Sequence, residues 1–231
     1  MRKVLITGAT GSIGEACARV FHEAGYFVYL HYHTNIQKAK ALCNELDNSE
    51  IVFFNICNKE QVKSNLDSME VNVLVNNAGV TKDALFFFME DEDWSQVIKT
   101  SVDGTYYVTK AVMKNMIKNK KGSVVNVASV SGLVGNAGQT NYSAAKGAMI
   151  AFTKALSVEV ARYGIRVNAV APGLIASAMT ASLPLESMKK TIPLARIGRP
   201  EEVAECVFFL ADKASYVTGE VLNISGGMVR T

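Results

Sequence analysis

VLITGATGSIGEACARVFHEAG, residues 4–25, runs from a short apolar segment through three glycines into an amphipathic stretch that stops at a fourth. VLIT has the near-continuous apolar content of a strand covered on both faces. From Ser12 onward the apolar residues recur at helical spacing, and Gly25 stands where a helix end takes a left-handed residue. A strand that turns on glycines straight into a helix is the repeating unit of a parallel α/β sheet.

The same unit recurs along the chain. FVYLHY (27–32), IVFF (51–54), VNVLV (71–75), SVVNVAS (123–129), IRVNAVA (165–171) and EVLNI (220–224) read as further strands. Helical patterns fill the intervals at 36–47, 59–68, 91–118, 142–163 and 200–212, and the one at 142–163 is closed by Gly164. This alternation predicts one doubly wound α/β domain over residues 1–231, with a mainly parallel sheet of about seven strands. Residues 176–199 carry two prolines and alternating Met and Leu with little period. They fit a substrate-capping segment or a plain surface excursion.

Of 231 residues, 49% are hydrophobic and 19% charged, and the net charge is +3. That apolar content suffices for a large core, and the charges are too mixed for a nucleic-acid footprint. The densest basic run, KNKK at 118–121, reads as a solvated helix end. Cys17, Cys43, Cys57 and Cys206 form no CxxC pair, and His22, His31 and His33 complete no metal-ligand spacing. No metal is expected, and the thiols are expected to be reduced. The chain enters a strand at once, leaving no room for a signal peptide. The uncharged runs 122–145 and 167–185 are broken by Gly, Ser and Asn, so neither reads as a membrane helix. A cytoplasmic location is the expectation.

Ligands of such sheets bind beyond the carboxyl ends of the strands. There the first strand is followed by Gly8, Thr10, Gly11, Ser12, Ile13 and Gly14, whose glycines permit close approach of backbone to a pyrophosphate at a helix N-terminus. The spacing is not GxGxxG, and alone the turn also fits any strand–helix connection. After the fourth strand come Asn76, Asn77, Ala78 and Gly79, able to tie neighbouring strands or simply to form an Asx turn. The fifth strand ends at Ser129, and NYSAAK (141–146) places Tyr142 and Lys146 one helical turn apart on one face. Each residue alone is more often structural. Their convergence on one predicted cleft is what points to catalysis.

TGxxxxxG, NNAG, a serine, YxxxK and Pro172-Gly173 stand in the order found in the short-chain dehydrogenase/reductase family, which the chain resembles over essentially its full length. Within that family GNAGQTNYSAAKGAMIAFTKAL, IRVNAVAPG, RIGRPEEVA and YVTGEVLNISGGM look most like the 3-oxoacyl-[acyl-carrier-protein] reductases. The resemblance implies a Rossmann-type domain that binds NAD(P)H. It implies Tyr142 as acid/base, Ser129 as carbonyl anchor, and Lys146 as the cation that favours the phenolate and holds the nicotinamide ribose. Gly8, Thr10, Gly11, Ser12, Ile13 and Gly14 are then expected along the diphosphate, and Asn77, Ala78 and Gly79 along the adenosine side. Asn55 and Ile56 are expected at the adenine; Pro172, Gly173, Ile175 and Ser177 at the carboxamide. The implied activity is reduction of a 3-oxoacyl thioester on an acyl carrier protein in fatty-acid biosynthesis. Alternatives are another small carbonyl or alcohol, or a weakly active structural subunit.

Three positions depart from the family. Ser12 replaces the middle glycine of the loop, Ser225 an aspartate before the C-terminal glycine pair, and Ser101 the asparagine that completes a catalytic tetrad. The second strand ends without an acid, with Tyr32 in the usual place of the aspartate, and His31, His33, Thr34, Asn35 and Lys38 are set to accommodate a phosphate. NADPH over NADH is therefore expected. Lys120, Lys121, Arg162 and Arg166 are candidates for steering an acidic carrier protein. A homotetramer is the assembly the resemblance implies.

Overall fold

The computed structural model describes residues 1–177, 180 and 188–230. Strand β1 (Lys3–Ile6) leads through the glycine turn into helix α1 (Ser12–Glu23), then β2 (Phe27–Tyr32), α2 (Ile36–Glu45), β3 (Ser49–Phe53) and α3 (Lys59–Leu66). The second half runs β4 (Val73–Asn76), α4 (Asp91–Ile98), α5 (Gly104–Asn119), β5 (Gly122–Val127), α6 (Ser131–Val134), α7 (Thr140–Val160), β6 (Ile165–Pro172), α8 (Pro200–Phe208) and β7 (Val221–Ile224). All seven strands pair in parallel, in the order β3-β2-β1-β4-β5-β6-β7. The order reverses between β1 and β4, so the crevice of this doubly wound sheet opens at their carboxyl ends.

Both faces of the sheet are covered, because successive strand residues point to opposite sides. Val4 and Ile6 join Phe21, Val28 and Leu30 in one core, and Leu5 joins Leu74, Val124 and Val167 in the other. Phe21, wholly buried, meets Tyr26 and Phe208 edge-on at centroid distances of 5.1 and 5.3 Å. Truncating it to alanine would cost about 3–5 kcal/mol.

The strands lie where the sequence places them, within a few residues. Gly25 and Gly164 take the left-handed conformation expected of them, at φ 77° and 70°. Three helical segments differ from expectation. The pattern over 200–212 is α-helical only to Phe208 and closes in a π-helical turn at Phe209–Lys213. The pattern over 91–118 is not one α-helix, because a π-helical turn at Lys99–Asp103 separates α4 from α5. Apolar periodicity tolerates one wide turn, so nothing in the pattern reveals it. A third surprise is α6, a single turn formed directly after Ser129 inside a stretch that reads as strand and loop. Of the expected capping segment 176–199, residues 178–179 and 181–187 lie outside the described residues.

Candidate active site

The glycine turn is a backbone cradle. Gly8 sits at φ 64°, and a Cβ there would come within 3.0 Å of Ala78 Cα. At Gly14 a Cβ would run into the Gly8 carbonyl oxygen and stand 2.7 Å from Asn77 Nδ2. Gly11 caps α1 without a side chain, so the first-turn N–H groups of the helix face outward unpaired. Thr10, Gly11, Ser12 and Ile13 all keep some exposure there. Backbone donors at a helix N-terminus, with every side chain but the smallest excluded, fit a pyrophosphate.

The end of β4 is bolted to this cradle. Thr7 Oγ1 accepts from the N–H groups of Asn77 and Ala78 at 2.9 and 3.0 Å. Asn77 Nδ2 donates to the carbonyl oxygens of Thr7 and Gly8, each at 3.0 Å. Of the two readings of the amide pair, strand tying is the one realised. Asn76 points the other way, into the sheet, and donates to Thr109 Oγ1 and Asn126 Oδ1, each at 2.9 Å. At the end of β3, Asn55 Oδ1 accepts from Cys57 N–H at 2.9 Å, and Ile56 is buried against Gly104.

Ser129 stands two residues beyond β5, and α7 presents Tyr142 and Lys146 on the face toward it. The Ser129 hydroxyl lies close enough to the Tyr142 phenol to act on its titration. Lys146 Nζ lies over the Tyr142 ring, 5.5 Å from its centroid, and donates to Val127 O at 2.7 Å. A Cβ built on Gly79 would lie 3.5 Å from Lys146 Nζ and 3.7 Å from Ser101 Oγ. The π turn thus delivers Ser101 to the floor under the lysine. Its hydroxyl is fully buried and has no hydrogen-bond partner among the described residues. All four residues singled out for catalysis converge.

Burial sets the electrostatics of both groups. It pushes the Tyr142 phenol up to about 12, with Ser129 opposing the rise and Asp83 adding to it. It also lowers Lys146, to about 8. Desolvation disfavours the charged form of each. The phenol is therefore protonated at neutral pH.

Sequence reading missed the struts that hold this pocket. Gln139 Oε1 accepts from Ser131 Oγ and Asn136 Nδ2 at 3.1 and 2.9 Å, while its Nε2 donates to Asp83 Oδ2 at 2.8 Å. Asn141 Nδ2 donates to Lys82 O at 2.8 Å. These bonds clamp the segment after β4 to the start of α7. The bonds to Asp83 and Lys82 span 56 and 59 residues, so no local signal marks them. Beyond β6, Pro172 O accepts from Val130 N–H at 3.0 Å, joining the Ser129 loop to the Pro172-Gly173 segment. Ile175 is buried in the wall of a cavity of about 510 Å³, and Ser177 N–H bonds Thr180 Oγ1 at 3.0 Å. Ser225 Oγ accepts from Val229 N–H at 3.2 Å.

Several sequence expectations fail outside the pocket. Arg166 is tied inward, donating to the carbonyl oxygens of Leu210 and Ala211 at 2.5 and 2.6 Å. Lys120, Lys121 and Arg162 sit where β5 and β6 begin, on the edge of the sheet opposite the cleft. None of the four is placed to steer a partner to this site. His31 is 2% exposed with both ring nitrogens engaged, so it meets no incoming phosphate. Lys38 Nζ pairs with Glu15 Oε2 at 2.9 Å. Among the described residues no helix is long and apolar enough to cross a membrane.

Comparison with known proteins adds the chemistry. A family model described as enoyl-(acyl carrier protein) reductase matches residues 8–229. Nodulation protein G of Rhizobium meliloti is 44% identical over 237 residues, covering 98% of this chain and 96% of its own. The 3-oxoacyl-[acyl-carrier-protein] reductase of Synechocystis is 44% identical, covering 97% and 96%. That of Rickettsia felis is 45% identical, covering 97% and 95%. The chain is an oxidoreductase acting on a carbonyl or alcohol with a nicotinamide cofactor, and it belongs to the short-chain dehydrogenase/reductase family.

Proposed function

We propose that the protein reduces a 3-oxoacyl thioester, presented on an acyl carrier protein, to the 3-hydroxyacyl thioester, using NADPH. The observation that carries this reading is the convergence of a protonated Tyr142 and the Ser129 hydroxyl beside the buried Lys146 cation. Two neighbouring hydroxyls able to donate suit a ketone oxygen that becomes an alkoxide. The nicotinamide, when bound, supplies the hydride.

Tyr142 gives its proton to the developing alkoxide, a far stronger base than phenolate, so its raised pKa does not obstruct the transfer. Ser129 holds the carbonyl oxygen and, as the phenolate forms, stabilises that too. Lys146 then acts on the phenolate, which its charge favours only after the proton has left. Ser101, under the lysine, offers both a donor and lone pairs for the return of a proton. Gly8, Thr10, Gly11, Ser12, Ile13 and Gly14 would hold the diphosphate. Asn77, Ala78 and Gly79 would flank the adenosine, Asn55 and Ile56 the adenine, and Pro172, Gly173, Ile175 and Ser177 the carboxamide.

The lack of an acid at the end of β2 supports NADPH, with His33, Thr34 and Asn35 left to meet the 2′-phosphate. An acyl substrate is supported by Leu85, Phe86, Phe87 and Phe88, exposed apolar residues just beyond Asp83. Residues 176–199 would close over that chain, and the assembly would be a homotetramer in the cytoplasm.

The test offers acetoacetyl thioester, free and carrier-bound, and a crotonyl thioester, each with NADPH and NADH. Turnover of acetoacetyl thioester with NADPH, and a lower KM on the carrier, is the expected outcome. Preferred turnover of the crotonyl substrate would make this an enoyl reductase instead. Comparable kcat/KM with both nucleotides would overturn the NADPH preference.

A further inference from the structure

His31 belongs to none of the candidate catalytic groups, yet both of its ring nitrogens are engaged beside the glycine turn. Its Nδ1 accepts from Gly8 N–H at 3.1 Å, and its Nε2–H donates to Phe54 O at 2.9 Å. The carbonyl can only accept, so the ring is the neutral Nε2–H tautomer. Burial favours the same state, holding the imidazole down at about 4. The ring also lies on Phe54, with centroids 4.1 Å apart, and the His31 backbone oxygen takes Ala9 N–H at 2.9 Å.

We infer that His31 is a positioning residue for the cofactor, a strut that sets the diphosphate turn against the adenine-side wall. One end of the strut fixes the Gly8 peptide, in the left-handed conformation on which the turn depends. The other ends on Phe54, immediately before Asn55 and Ile56. The two peptides that flank Gly8 Cα are each held: His31 from β2 accepts from Gly8 N–H on one, while Asn77 Nδ2 from β4 and Gly11 N–H within the turn, at 3.0 Å, donate to Gly8 O on the other. Without the imidazole acceptor, a Gly8 N–H buried behind the turn loses its partner, and glycine has the freedom to rotate it away. The donors of the turn then no longer converge. This inference rests on the cofactor reading above.

The test uses three variants. His31→Asn places Oδ1 where Nδ1 stands and keeps the acceptor for Gly8. His31→Gln places a polar atom where Nε2 stands and keeps only the bond to Phe54. His31→Phe keeps the ring contact and loses both bonds. Nucleotide Kd and KM should rise tenfold or more in the Gln and Phe variants, with kcat at saturation within about twofold of the parent, and stay within about threefold of the parent for Asn. Independently of any nucleotide, exchange of the Gly8 amide proton should accelerate in the Gln and Phe variants and remain slow in the Asn variant. Should His31→Phe not fold, the Asn and Gln pair carries the same contrast. Equal nucleotide affinity in Asn and Gln variants overturns the strut while leaving the cofactor site intact. A parent protein that binds neither NADPH nor NADH, with Gly8 still protected, overturns the cofactor reading and the strut together.

Discussion

The glycine turn after β1 and the pocket under Lys146 open on one cleft, yet they are built on opposite terms. In the turn, Thr7, Asn77 and His31 all have close partners, and the chain completes its own geometry. In the pocket, Ser101 Oγ has no partner among the described residues, and burial drives Tyr142 and Lys146 toward their neutral forms. The geometry of the turn is thus complete within the chain. The buried polar groups of the pocket cost the fold stability, and under the proposed function substrate and cofactor would offset that cost.

The largest break in that comparison is Tyr142→Phe. It removes the proposed proton donor and leaves the glycine turn untouched. We expect kcat to fall about 10³-fold, within the range for a general acid, with nucleotide affinity within about twofold of the parent. Steady-state rates at saturating thioester and direct nucleotide titration would check both. A residual rate above a tenth of the parent's would mean that Ser129, or water, can donate the proton.

Lys146→Met separates activity from stability. The rate should fall about 10²-fold, as expected for loss of a charge acting on the transferred proton. Stability should move the other way. Folded Lys146 titrates near 8, below the ~10.4 of an unfolded lysine. Between those pH values the unfolded chain keeps a proton that the folded chain has released. Stability therefore rises with pH across that window and is lowest below pH 8, by about 3 kcal/mol. Methionine removes that cost and forfeits one hydrogen bond to Val127, worth about 1 kcal/mol. Urea denaturation at pH 6.5 should show the variant more stable by about 2 kcal/mol, with the 8–10.5 window flattened. A variant less stable than the parent at pH 6.5 would show that the buried cation is not a cost.

Gly14→Ala strikes the other side. Its Cβ would meet the backbone of Gly8 and Ala9, which cannot rotate aside as a side chain would. Overpacking of this kind costs about 1–3 kcal/mol, and nucleotide affinity should fall with it. A Kd unchanged alongside lower stability would separate the cradle's packing from its binding role.

What was legible follows the same division. Gly8, Gly14 and the Tyr142–Lys146 pair stand in short stretches of chain, so their spacing marked them as candidates and the family resemblance supplied their expected roles. The parallel sheet followed from runs such as IRVNAVA, dense in branched residues. The π turn was invisible because an apolar stripe survives one extra residue. Long-range bonds were invisible too. Nothing near His31 says that its nitrogens end on Gly8 and Phe54, and nothing near Arg166 says that it donates to Leu210 and Ala211 just beyond the end of α8. The burial of Tyr142 was invisible for a third reason. A neighbouring cation can be read from spacing, whereas the desolvation that raises the phenol depends on the whole fold.

The smallest expected effect sharpens the comparison most, because Ser101 lies under the lysine that both catalysis and stability turn on. Its hydroxyl is wholly buried, unpartnered, and held by a π turn whose extra residue sends it inward. If that hydroxyl serves the return of protons to Tyr142, Ser101→Ala should lower kcat, and Ser101→Asn, with a longer polar arm, should raise it. One hydrogen bond of about 0.5–1.5 kcal/mol corresponds to about a two- to tenfold change in either direction. Nucleotide Kd should stay constant in both, since neither change touches the glycine turn. Stability supplies the second reading: removing a buried hydroxyl that has no partner should leave the alanine variant as stable as the parent or more so. A lower kcat together with unreduced stability assigns Ser101 to proton return. An alanine variant with the parent's kcat would show that its burial beneath Lys146 serves packing alone.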